Sequence, residues 1–422
     1  MLIEFQVKNY RSLRDNQTLS MVAGGFPEHE ETNTAPTGLP GFGRLLRTSV
    51  VYGANAAGKT NLLRALQLVQ SFVLNSASAP AATALPYDPF KLAHASRTSP
   101  SEFRISFVAS ETRYEFGFAI DGERVLEEWL VEYVHAHGRT LYERRYNSKA
   151  NKYDWKFSSF LQGRKSLWSD ATRANALFLS TAVQLNSKRL LPAFEWFQKK
   201  LVVITGFTTL NPTLTLKLIE TEEGRAKLLP FLREADLGIT GVTVKREVIT
   251  PNSGTLYFGS APPIVEQTSL GAPPNLLRIT LTHAAEKNEQ VGLDLSEESN
   301  GTQVLFRSAG AWLQVFENGE VLLVDEIDTS LHPLITRFLI SKFHNQGSNP
   351  RNAQLVFSTH NTSFLRQEFF RRDQILFVEK SSDGASRLYP LSDFSPRNDE
   401  VLENWYLRGR YGALPIIEAP RS

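Results

Sequence analysis

"VVYGANAAGKTNLL", running from Val50 to Leu63, decides the fold of this chain. Within it, Gly53-Ala-Asn-Ala-Ala-Gly58-Lys59-Thr60 matches the spacing G-x-x-x-x-G-K-[ST] in full. The flanks matter as much as the match. Upstream, Thr48 to Tyr52 reads as a short buried strand; downstream, Leu62, Leu66 and Val69 recur at helical spacing on one face. A strand, a glycine loop and a helix start, in that order, cradle polyphosphate with backbone N–H groups. Lys59 would reach the terminal phosphates, the Thr60 hydroxyl would hold Mg²⁺, and Gly53, Asn55, Gly58 and Asn61 complete the expected loop contacts. A ligand-free glycine turn is the alternative, and the flanks argue against it. The expected cofactors are ATP and Mg²⁺.

Composition sets the bounds. A chain of 422 residues with 41% hydrophobic content has ample material for a large α/β unit or two to three domains. With 46 basic and 44 acidic residues the net charge is +2, so any surface for nucleic acid or an anionic membrane has to be local. The absence of cysteine excludes disulfides, thiolate metal sites and cysteine nucleophiles. The opening Met-Leu-Ile-Glu-Phe has no basic leader, and no apolar run of about 18 residues occurs, which predicts a soluble, cytoplasmic protein.

Along the chain, Leu2 to Tyr10 alternates like a strand and enters the turn "NYRSLRD", in which Asn9 to Ser12 is a surface turn by its residues and a nucleotide contact by the family resemblance given below. Residues 23 to 47, and then Asn75 to Pro89, read as loops. From Phe103, "FRISFVAS", "YEFGFAID", "VLEEWLVEYV" and "TLYERRYN" predict antiparallel strands, with "DGE" as a hairpin turn. Helices are expected over 166–200 and from Leu214 to the Gly238 stop, and strands again at "ITGVTVKREVI", followed by a Pro- and Gly-rich loop. Finally "GEVLLVDEID", "AQLVFSTHN" and "DQILFVEK" predict apolar strands separated by helices, a parallel sheet that the strand near residue 50 rejoins from far away. The fold class expected is α/β, with a mostly parallel core sheet, an antiparallel β lobe and a helical/β insertion. Its expected division is 1–165, with the phosphate loop and the antiparallel lobe; 166–265, a helical insertion with connecting strands; and 266–422, the second half of the core.

Asp325 and Glu326 follow four apolar residues at the C-terminal end of a strand. Asp325 is placed to hold Mg²⁺ through water, and Glu326 to orient or deprotonate the attacking water. His360 ends another apolar strand, where it is either a contact to the terminal phosphate or a structural histidine. Asp328 opens the turn into the next helix and is also an N-cap candidate. Glu298-Ser-Asn-Gly-Thr-Gln303 precedes a helical stretch and makes a second candidate anion site.

The set "GANAAGKT", "ESNGTQ", "LLVDEID" and "STHN", in that order, resembles the ABC-type ATPase heads of the SMC, RecF and OLD-like group. Within that group the chain looks like AAA-family ATPases of bacterial anti-phage systems, such as the ATPase subunit of PARIS and abortive-infection ATPases. "FQVKNYRSL", "ANALFLSTAVQLN", "RRDQILFVEK" and "YLRGRYGALP" carry the same likeness. The resemblance implies an ATPase whose two copies sandwich two ATP molecules. Ser299 and Gly301 would then contact nucleotide in trans, Asp328 would lie in the loop across the dimer, His360 would be the switch histidine, and Gln184 would be the Q-loop glutamine at the metal. "SNGTQ" departs from the LSGGQ of transporters.

The resemblance further implies a sensor or scaffold in an abortive-infection system that controls a separate effector, a TOPRIM nuclease or a toxin, since the chain ends soon after "RRDQILFVEK". The alternative is a RecF-like DNA repair ATPase that closes on DNA. Its support is the stretch from Leu141 to Lys156, which interleaves Arg144, Arg145, Lys149, Lys152 and Lys156 with aromatic residues. A solvated hairpin edge guarded by lysines accounts for the same stretch.

Overall fold

A computed structural model describes residues 1–134, 137–204, 206, 210, 212–235, 238–248, 265–266, 275–286, 289–397 and 400–415. The Pro- and Gly-rich loop expected after residue 249 lies outside the described residues except for Val265–Glu266, which form a short strand. The chain forms two compact units. Unit 1 comprises Met1–Val203, Gly319–Asp325 and Phe343–Ser422, and unit 2 comprises Ile204–Asn318 and Glu326–Lys342.

Unit 1 holds two large sheets. The antiparallel one runs in the order β10 (Lys152–Phe157), β9 (His137–Asn147), β8 (Val125–Val134), β7 (Thr112–Ile120), β6 (Ser101–Ala109), β1 (Leu2–Lys8), β2 (Gln17–Ser20). The N-terminal strands β1 and β2 thus complete a lobe whose remaining strands begin at Ser101, with Phe5 opposite Ile105 and Val7 opposite Phe103. Alternation explains the pairing, since Leu2, Phe5 and Val7 are buried together with Phe103, Ile105 and Phe107.

The second sheet is ordered β11 (Leu201–Ile204), β16 (Val321–Val324), β17 (Gln354–Ser358), β5 (Thr48–Tyr52), β18 (Ile375–Lys380), β19 (Ser386–Pro390). β16, β17, β5 and β18 are mutually parallel, with Val324 opposite Phe357 and Phe357 opposite Val50; β19 is antiparallel. Every residue of β5, β16 and β17 is buried, the signature of strands covered on both faces. α2 (Lys59–Asn75) buries Leu62, Leu66 and Val69 as its spacing predicts. It packs beside α4 (Phe178–Gln184) and α5 (Leu191–Lys199), which follow α3 (Lys165–Ala171). The short α10 (Leu402–Leu407) buries Leu402 and Tyr406.

In unit 2, α6 (Thr213–Glu220), α7 (Glu222–Glu234) and α8 (Asn300–Asn318) pack together. Beside them is a small antiparallel sheet of β12 (Ile239–Val248), β14 (Asn275–Ala284), β13 (Val265–Glu266) and β15 (Gln290–Asp294). α9 (Pro333–His344) begins in unit 2 and ends in unit 1.

Three expectations are corrected. Residues 23–47 are not all loop: they carry α1 (Glu30–Asn33) and the hairpin of β3 (Thr34–Pro36) and β4 (Arg44–Leu46). Strands of three residues are too short to declare a period, yet Ala35, Leu45 and Leu46 are buried. The helical run towards Gly238 breaks at Thr221, whose side chain accepts the Gly224 N–H and so caps a new helix. Between β17 and β18 the described structure carries only the 3-10 turn Thr362–Phe364, where a helix was expected. The Asn361 side chain caps that turn by accepting the Ser363 N–H.

Candidate nucleotide site

β5 runs directly into the glycine loop and the loop into α2, so the loop is held by two buried elements. Gly58 adopts φ 119°, and a Cβ there would meet the Ser386 hydroxyl. A Cβ at Gly53 would run into the Val378 carbonyl oxygen. Lys59 Nζ folds back to donate to the carbonyls of Gly53 at 2.8 Å and Ala54 at 3.2 Å. α2 starts with no side-chain cap, which suits a first turn whose donors serve an anion. Asn55 is exposed and Thr60 half-buried, while Asn61 Nδ2 donates to Ser12 Oγ at 2.8 Å.

Asp325 follows β16 and accepts a hydrogen bond from Ser358 Oγ, the last residue of β17, at 2.6 Å. Because β17 lies between β16 and β5, Asp325, Ser358 and the glycine loop all leave the same carboxyl edge of parallel strands. His360, exposed, stands two residues beyond β17 at that edge. Its neighbours are fixed: the Thr359 N–H donates to the Val51 carbonyl at 3.3 Å, and the Tyr52 hydroxyl donates to the Asn361 carbonyl at 3.2 Å. Thr362 Oγ1 donates to Glu403 Oε1 at 2.7 Å, which ties the turn to α10. Gln184 is the exposed last residue of α4.

The remaining candidates lie in unit 2. Ser299 caps α8: its Oγ accepts the Thr302 N–H at 3.2 Å and lies 2.8 Å from Thr302 Oγ1. A Cβ on Gly301 would stand 3.1 Å from the Ser330 carbonyl oxygen, so the start of α8 and the loop after Glu326 come together. Within that loop Glu326 has φ 51° and is exposed, its Oε2 accepting from Thr329 Oγ1 at 3.3 Å. Asp328 Oδ1 is buried with no hydrogen-bond partner among the described residues. Asp328 therefore does not act as an N-cap here, and an acceptor is left over. Among the described residues no cluster of three or more His, Asp or Glu could hold a metal by itself, so a cation here would need phosphate oxygens as further ligands.

Ser358 and Ser386 were not singled out as site residues by the sequence. "NYRS" gave a signal for Ser12; single serines at the ends of strands gave none. Conversely, the basic hairpin loses its leading residue. Arg144 is fully buried, 3.5 Å from the Glu128 carboxylate, and donates to the carbonyls of Ala176 at 2.8 Å and Arg173 at 3.1 Å. Arg145 and Lys156 pair with Glu127 and Glu143. Only Lys149 and Lys152 of that set are exposed without a described ion pair.

The family model described as "AAA domain, putative AbiEii toxin, Type IV TA system" matches residues 49–196 and 215–366, well over half of the chain. No curated protein matches. Among solved structures, the chain is similar to an SMC head bound to the C-winged helix domain of ScpA, at 11% identity and TM-score 0.41, covering 92% of this chain and 97% of that one. It is similar too to the SMC head domain from Thermotoga maritima, at 11% identity and TM-score 0.37, covering 92% and 98%.

Proposed function

The chain belongs to this AbiEii-type AAA family, and on that premise we propose that it is an ATPase of the ABC type, serving as sensor and scaffold in an anti-phage, abortive-infection system. The observation that carries the ATPase reading is the shared strand edge. A phosphate loop with an uncapped helix start and a strand-end aspartate held by Ser358 leave one parallel sheet in the same direction.

The donor set suits Mg·ATP. Thr60 and Asp325 would hold Mg²⁺ with the phosphate oxygens, and the metal would neutralise phosphate charge. Lys59, on binding, exchanges its two loop carbonyls for phosphate oxygens. Glu326 orients and deprotonates the attacking water, while His360 contacts the γ-phosphate. Gln184, as the Q-loop glutamine, would be a further ligand of the metal. Ser299, Gly301 and Asp328 serve the nucleotide of a second copy, so the working form is a homodimer or larger homo-oligomer. The effector is a separate protein, a nuclease or toxin.

Among the described residues no helix is long and apolar enough to cross a membrane. The alternative of a RecF-like ATPase closing on DNA loses one of the five cations that support it with the burial of Arg144.

Glu326→Gln tests the reading. It should bind ATP with wild-type affinity and lose about 100-fold or more in hydrolysis, since a positioned base contributes about 10²–10⁴. Hydrolysis at the wild-type rate removes the carboxylate from the mechanism. Purification of this variant with MgATP from infected cells should retain an effector chain; recovery of repair proteins or DNA alone would favour the second reading.

A further inference from the structure

Beneath the phosphate loop, four polar groups from distant parts of unit 1 form one chain of hydrogen bonds. Asn61 Nδ2 meets Ser12 Oγ at 2.8 Å, Ser12 Oγ meets Ser386 Oγ at 2.8 Å, and Ser386 Oγ meets the Ala57 carbonyl oxygen. Its direction is fixed at both ends. The Asn61 amide nitrogen only donates and the Ala57 carbonyl only accepts. Each hydroxyl has one proton, so every link is satisfied only if Ser12 donates to Ser386 and Ser386 donates to Ala57.

We propose that Ser386, oriented by Ser12, is a positioning residue that sets the Ala57–Gly58 peptide of the phosphate loop for anion binding. The peptide is planar and trans, so its C=O and N–H point to opposite sides. With the Ala57 carbonyl tied to Ser386, the Gly58 N–H faces away from Ser386, and it stands at the start of α2, where loop donors serve phosphate. Were that peptide to turn over, the site would present a carbonyl oxygen to a triphosphate. The same contact explains why residue 58 has no side chain: a Cβ there would collide with Ser386 Oγ and lie 2.9 Å from Ser12 Oγ.

The serines are themselves braced. The Ser386 N–H donates to the Ser12 carbonyl at 2.7 Å, and the Leu388 N–H donates to Gln17 Oε1 at 2.7 Å. Arg14 pairs with Asp383 in the turn before β19, and the hydrogen bonds of Ser381, the Ala385 N–H and Arg14 hold that carboxyl down at about 2. The turn at residues 9–15 and the β18–β19 hairpin therefore form a rigid floor for the loop, rather than a free surface.

This inference rests on the ATP reading, and one titration separates the two. Wild type, Ser386→Ala, Ser12→Ala, the double variant and Ser386→Thr are titrated with ATP and ADP, and thermal midpoints are recorded without nucleotide. If wild type binds neither nucleotide, the ATP reading itself falls and the positioning role with it. If wild type binds, each serine-to-alanine change should weaken binding and raise KM about tenfold, the worth of one hydrogen bond to the loop, with kcat at saturation within about twofold. The double variant should be no weaker than the single ones, because both cut the same chain. Ser386→Thr, which keeps the hydroxyl, should restore affinity. Wild-type affinity in Ser12→Ala, or additive losses in the double variant, would overturn the proposal. Should Ser386→Ala fail to fold, half-buried Ser12 gives the same readout from the other end.

Discussion

Arg144 illustrates how a single residue changes meaning between sequence and structure. In "LYERRYNSKANKYDWK" it reads as one of several surface cations, yet its guanidinium lies over the ring of Tyr153 at 4.1 Å and beside Glu128 in the core. Glu128 in turn accepts the N–H groups of Phe178 and Leu179 at 2.7 and 2.9 Å and the Tyr142 hydroxyl at 2.9 Å. Burial pushes the Glu128 carboxyl up, opposed by Arg144. Two adjacent arginines on one strand point to opposite faces, so one of the pair had to face inward, and the sequence does not say which. Removing the cation leaves a buried carboxylate without its partner. Arg144→Ala should cost about 3–5 kcal/mol of stability in chemical denaturation. Arg145→Ala, at a side chain 61% exposed, should stay within about 0.5 kcal/mol. Equal, small effects at both positions would contradict the buried pair.

At the scale of elements, the phosphate loop was legible because its strand, glycines and helix each have a local signature; β5 and α2 are where the spacing puts them. The antiparallel lobe was legible for the same reason. What escaped was short or distant: β3 and β4 have three residues each, and Ser386 meets Ser12 across 374 positions. His344 belongs to the second kind. It closes α9 against β5, where Gln374 Nε2 donates to Thr48 Oγ1 at 2.6 Å and His344 Nε2 lies 2.8 Å from the same oxygen. The buried imidazole is neutral. Burial, with the charges of His29 and Arg47, lowers its pKa from 6.5 to about 3. The unfolded chain takes up a proton at 6.5 and the folded chain does not, so this contribution to stability is complete above 6.5 and is lost as pH falls toward 3. Between about pH 6 and pH 4 the wild type should lose about 1.4 kcal/mol per pH unit more than His344→Gln, read from urea midpoints across that range. Parallel slopes would mean that the imidazole titrates freely.

For the whole molecule, the informative feature is where the motifs fall. The phosphate loop, Asp325 and His360 belong to unit 1, whereas Ser299, Gly301 and Asp328 belong to unit 2. Inside unit 2 the second set is already assembled, with Gly301 against Ser330 and a buried Asp328 oxygen left without a partner. Pairing across copies is therefore open to test by bulk at Ser299, far in sequence from the phosphate loop. In a Glu326→Gln background with MgATP, sedimentation velocity should give a dimer. Adding Ser299→Arg should give a monomer that still binds ATP through its intact loop. Ser299→Ala removes the same helix cap, worth about 1 kcal/mol, without adding bulk, and so separates capping from steric block. A Ser299→Arg protein that dimerises as readily as its parent would place the dimer contact elsewhere and leave Ser299 as a helix cap alone.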